Sequence, residues 1–97
     1  MVAINIDGFH ELDPKDPKVV EIGKFAVQEY NKQSKRILRF VQLFKAKSND
    51  NLPEIKAEYT LIIGAQDNDV LSKFEAVVVE KFNSRRSLIA FKRIEGL

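Results

Sequence analysis

The spacing of apolar residues changes period once along this chain, and that change limits what it can fold into. Before residue 37, Val19, Ile22, Gly23, Ala26, Val27 and Tyr30 recur at three- and four-residue intervals, while Lys18, Glu21, Gln28 and Lys32 face the other way. Such a stripe predicts an amphipathic helix with one covered face. Asp16-Pro17 marks its start, since the carboxylate accepts orphan amide hydrogens and proline lacks the donor that the first turn leaves idle. The helix is expected to run to about Asn31. From residue 37 the pattern alternates instead, and breakers divide it into segments 37–47, 55–65, 71–82 and 87–94, each read as a strand. In the second, Ile55, Ala57, Tyr59, Leu61, Ile63 and Ala65 share one face and Lys56, Glu58 and Thr60 the other, so one face is buried and one is wet.

Turn-forming clusters at 48–51, 66–69 and 83–86 are short enough for hairpins, which makes the strands antiparallel neighbours. The expected class is therefore α+β, one helix packed on a curved antiparallel sheet of four to five strands. Phe25 edges the helical stripe, and Gly23 and Ala26 are small where a sheet must come close. Gly64 implies a bulge or a close helix approach. Ahead of the helix, Val2, Ile4 and Ile6 alternate as a short strand would and stop at Asp7-Gly8, which reads as an extended arm. With 97 residues, 44% hydrophobic and 31% charged, the expectation is a single domain over 1–97.

The chemistry-bearing residues point to binding and not catalysis. There is no cysteine, so disulfides, thiolate metal sites and a cysteine nucleophile are excluded. His10 is the only histidine and sits in an exposed arm between Phe9 and Glu11, where no catalytic pair can be built. Asp13, Asp16, Asp50, Asp67 and Asp69 fall in turns where carboxylates cap local amides, and Asp67-Asn68-Asp69 is too short for a calcium loop. No metal, cofactor or enzymatic activity is expected. A formal charge of +2 with mixed signs favours neither nucleic acid nor membrane as partner. No signal peptide is visible, and the compartment stays open between secreted and cytoplasmic.

The run Ile22-Gly23-Lys24-Phe25-Ala26-Val27-Gln28-Glu29-Tyr30-Asn31 resembles the helix signature of plant cystatins. The likeness continues through Asp16-Pro17, Leu38 and Phe40, Lys45-Ala46-Lys47, and Phe74-Glu75-Ala76-Val77-Val78-Val79. It implies a cystatin fold and an inhibitor of papain-like cysteine proteases that inserts a three-part wedge. The resemblance places that wedge at Gly8 and Phe9 of the arm, Asn51, Leu52 and Pro53 of the first hairpin, and Phe82 and Asn83 of the second. Arg85 and Arg86, with Lys81, Lys92 and Arg93, form a secondary basic patch or a solvated rim. Two motifs differ from the family pattern: 48–54 has no Gln-x-Val-x-Gly, and the second hairpin has no Pro-Trp, so papain inhibition is expected to be micromolar or weaker. Leu52-Pro53 serves either as contact or as turn chemistry. A partial resemblance to monellin, through Gly23-Lys24-Phe25-Ala26-Val27, Glu54-Ile55-Lys56, Glu58-Tyr59 and Arg85-Arg86, gives the alternative of a non-inhibitory protein docking on a taste-receptor-like ectodomain. A monomer and a domain-swapped dimer are both open.

Overall fold

A computed structural model of the protein describes residues 9–94. In chain order the elements are β1 (Phe9–Leu12), α1 (Pro17–Ser34), β2 (Arg39–Asn49), β3 (Ala57–Asp67), β4 (Val70–Glu80) and β5 (Arg86–Arg93). The five strands make one sheet in the order β1-β2-β3-β4-β5, every neighbouring pair antiparallel. One helix against one antiparallel sheet is the α+β arrangement that the change of period implies.

The helix begins as its sequence dictates. Asp16 is extended (φ −61°, ψ 125°), its Oδ1 accepts the Lys18 amide at 2.9 Å, and Pro17 follows. It ends three residues beyond Asn31, because the last turn, Lys32-Gln33-Ser34, carries no apolar residue to signal it. There Lys35 turns left-handed at φ 61° and donates its N–H to the Asn31 carbonyl at 2.8 Å. The Asn31 amide also grips the backbone of Leu38 from both sides: Nδ2 donates to the carbonyl at 2.9 Å, and Oδ1 accepts the N–H at 3.0 Å. That clasp fixes how the chain enters β2.

Val19, Ile22, Ala26 and Val27 of α1 are buried against Leu43, Ala46, Leu61, Ile63, Ala65, Phe74, Ala76 and Val78 of the sheet. Burying each large aliphatic side chain contributes about 1.5–3 kcal/mol. Gly23 lets the helix come close, since a Cβ there would lie 2.9 Å from Leu43 Cδ2 and 3.0 Å from Phe40. Gly64 also marks a close approach, but from the opposite face: the second of two β2 irregularities, between Leu43 and Lys45, brings the Phe44 ring to 2.7 Å from the place a Cβ would occupy. Tyr30 stacks on Phe91 at 4.2 Å between centroids, and Phe91 contacts Phe74 at 5.2 Å, which closes the core beside β5.

Beyond the helix end, further segments depart from the sequence expectation: the strand expected over 71–82 stops at Glu80, which leaves Lys81 and Phe82 in the following loop. Val2, Ile4 and Ile6 lie outside the described residues; within them, residues 9–12 form a paired strand, Phe9 opposite Asn49 and Leu12 opposite Ala46, because the edge of β2 offers free backbone partners. Ser48 and Asn49, expected in a turn, complete β2 and are buried.

Candidate functional site

Antiparallel pairing brings three segments to one end of the sheet. Phe9 opens β1 opposite Asn49, the last residue of β2; residues 50–56 link β2 to β3; and residues 81–85 link β4 to β5, with Glu80 opposite both Ala57 and Arg86. The arm, the β2–β3 tip and the β4–β5 tip therefore share an edge. The other end carries the β3–β4 turn and the C-terminus of α1, where Asp67 Oδ2 accepts from Arg36 at 2.7 Å and Arg93 at 2.9 Å.

The β4–β5 tip is a three-residue hairpin loop closed by its backbone. The Lys81 amide donates to the Arg85 carbonyl at 2.8 Å, the Ser84 amide donates to the Lys81 carbonyl at 2.9 Å, and Ser84 is left-handed at φ 68°. Asn83 Oδ1 accepts the Arg85 amide at 3.1 Å, so this side chain shapes the loop. Phe82 stands 70% exposed at the crest. On the β2–β3 tip the Asn51 amide donates to Asn49 Oδ1 at 3.0 Å, Leu52 is half-buried, and Pro53 is exposed. Phe9 is half-buried with the Lys47 ammonium 5.0 Å above its ring. Gly8 lies outside the described residues.

His10 and Asp50, side by side at 3.1 Å and both largely exposed, connect β1 to the β2–β3 tip. The basic patch does not assemble. Lys92 faces Glu75 at 3.5 Å and Arg93 is drawn to Asp67 at the far end, because an eight-residue strand separates them from the tip; only Lys81, Arg85 and Arg86 remain.

Beneath the tips lies a polar group that alternation alone does not reveal. Glu80 is 5% exposed; its Oε1 accepts from the Tyr59 hydroxyl at 3.2 Å, its Oε2 lies 3.8 Å from Arg86 Nε, and its carbonyl accepts the Lys56 amide at 2.9 Å. Burial, reinforced by the neighbouring Glu80 carboxylate, raises the Tyr59 pKa above its ordinary value near 10.0. The signal available in the sequence was Glu80 itself, an acid two residues beyond the inward Val78, but the apolar run 76–79 blurs which face it takes. Among the described residues no three His, Cys, Asp or Glu side chains gather as a metal site, and no helix is long and apolar enough to cross a membrane.

Residues 12–94 match the profile of a family described as aspartic acid proteinase inhibitor. Among curated proteins, the chain is 39% identical over 79 residues to cysteine proteinase inhibitor 5 of Arabidopsis thaliana, 79% of this chain. It is 30% identical over 90 residues to cysteine proteinase inhibitor 3 of the same plant, 90% of this chain. The matched stretches span 62% and 70% of those two relatives. With most of its sheet and its whole helix inside the matched region, the chain belongs to the aspartic acid proteinase inhibitor family, a cystatin-like plant family.

Proposed function

We propose that this chain is a protease inhibitor of cystatin fold, one domain over residues 1–97, that docks through the edge formed by Phe9, Asn51, Leu52, Pro53, Phe82 and Asn83. The observation that carries the reading is the meeting of the arm and both tips at one end of the sheet. An exposed aromatic on a backbone-closed loop is the kind of rigid anchor that dominates interface energetics, at about 2–4 kcal/mol when truncated. The chain itself carries out no catalysis in this reading.

Aspartic proteases are the class favoured. Family membership supports them, and so do the tips: residues 50–56 hold no Gln-x-Val-x-Gly, residues 81–85 hold no Pro-Trp, and Ser48 and Asn49 are withdrawn into β2. The second reading is a papain-like cysteine protease, favoured by the two relatives named cysteine proteinase inhibitors.

A parallel titration against pepsin and papain, each at a pH where it is active, separates the two. Pepsin inhibition at least tenfold tighter than papain inhibition is the expected result. Low-nanomolar inhibition of papain with none of pepsin reverses the order of the readings. Inhibition of neither enzyme removes the docking reading for both, and leaves the monellin-like alternative of a receptor-binding protein.

A further inference from the structure

Buried polar side chains are costly, and a core built for stability alone would place apolar groups in their positions. Among the described residues three polar or charged side chains are buried, Ser48, Asn49 and Glu80, and all three lie at the tip-bearing end. The register joins them to the tips. Ser48 pairs with Tyr59; Asn49 pairs with Phe9 and holds the Asn51 amide; Glu80 pairs with Ala57 on one side and Arg86 on the other.

We propose that Tyr59 and Glu80 are positioning residues for inhibition: they lock the β4–β5 tip to the β2–β3 tip and fix the direction of Arg86, without themselves touching the protease. This rests on the docking reading above. Glu80 is suited to the task because it touches the exit of each tip, through its carbonyl on the Lys56 amide and through its carboxylate against Arg86. The Tyr59 hydroxyl, donating from the strand between β2 and β4, holds that carboxylate in place.

Arg86 is held at one atom and presented at others. Its Nε is buried with no hydrogen-bond partner among the described residues, since 3.8 Å from Glu80 Oε2 is an ion-pair distance and not a hydrogen bond, while 23% of the side chain reaches solvent. An arginine restrained in this way loses less freedom on meeting a partner than the exposed Arg85 would. The group it would meet is a carboxylate on the rim of the protease cleft.

Two near-isosteric variants test the assignment. Tyr59→Phe removes the hydroxyl donor. Glu80→Gln turns one acceptor oxygen into an amide donor that faces a guanidinium donor. Ile63→Val, a change in the fully buried core of β3 away from the tips, controls for lost stability alone. Measured well below the melting temperature on pepsin, Tyr59→Phe and Glu80→Gln are expected to weaken inhibition about tenfold, through faster dissociation, and Ile63→Val to leave it unchanged.

Amide hydrogen exchange supplies a readout that needs no protease. The amides of Lys56, Lys81 and Ser84 are expected to exchange at least tenfold faster in both variants, while those of Lys35 and Ile94, hydrogen-bonded at the far end, keep their rates. Unchanged inhibition in Tyr59→Phe and Glu80→Gln, with Phe82→Ala still weakening it, overturns the positioning role and leaves the docking reading intact. Equal acceleration at both ends overturns it as well, because the residues would then serve global stability. If the unaltered protein inhibits no protease, the docking reading falls together with the affinity half of this proposal, and exchange alone decides whether the tips are locked.

Discussion

The phenol of Tyr59 donates to the Glu80 carboxylate, and its raised pKa follows from burial first and from that negative neighbour second. The folded protein therefore keeps a proton that the unfolded chain gives up near pH 10, so the native state binds more protons and stability falls as pH rises. This contribution is complete below pH 10 and is lost as pH passes through the raised folded value. The melting temperature of the protein is expected to drop more steeply above pH 10 than that of Tyr59→Phe; parallel curves would refute the coupling. Tyr59 was legible in the sequence only as an inward member of an alternating strand. Its partner was not, because Glu80 closes the strand 21 residues away, and only the register brings the two together. Arg86 shows the same limit: it was readable as a charge beside a hairpin, yet its buried Nε depends on a carboxylate that alternation does not flag.

Among the elements, the helix and the four long strands were legible because each carries a full apolar period. Their ends were not, since the signal stops where the apolar residues stop: α1 runs on through a polar last turn, and β2 runs on through Ser48 and Asn49. The four-residue β1 was legible as an extended arm ahead of the helix but not at its residues, as its strand character comes from the edge of β2 and not from its own alternation. The β3–β4 connection shows the opposite case, a local rule that holds. Asp67 pairs with Val70 across Asn68 and Asp69, which have φ of 54° and 70°, so this is a two-residue turn of type I′. Glycine fits the second position better than aspartate, whose Cβ is crowded there. Asp69→Gly is expected to stabilise the protein by about 0.5–1 kcal/mol in a urea titration, the gain from relieved backbone strain outweighing the extra freedom of the unfolded glycine. A lower midpoint would show that the Asp69 side chain holds the turn in some other way.

Across the whole molecule, which extends 46 Å along its longest axis, the two ends of the sheet are specialised differently. At one end Asp67 ties the link between α1 and β2, the β3–β4 turn and the end of β5 together through Arg36 and Arg93. At the other, Phe82 stands 70% exposed on a closed loop and contributes little to the core. Strand β4 separates them by ten residue steps, roughly 33 Å at the usual rise of a strand. Changes at such distances act almost independently, adding to within about 0.5 kcal/mol. Asp67→Asn removes a charge shared by two arginines that are each about half exposed, 49% and 45%, so screening limits the loss to about 1 kcal/mol of stability. It leaves the tips where they are. Phe82→Ala removes little buried surface, since the residue is 70% exposed, which keeps stability within about 0.5 kcal/mol of the starting protein, yet under the docking reading it takes away an anchor of about 2–4 kcal/mol, some 30- to 1,000-fold in inhibition. The double variant should therefore show the melting temperature of Asp67→Asn and the inhibition constant of Phe82→Ala. If Asp67→Asn alone weakens inhibition severalfold, the two ends communicate through the sheet; if Phe82→Ala lowers the melting temperature by many degrees while inhibition holds, Phe82 supports the fold and the docking edge must be sought elsewhere on the molecule.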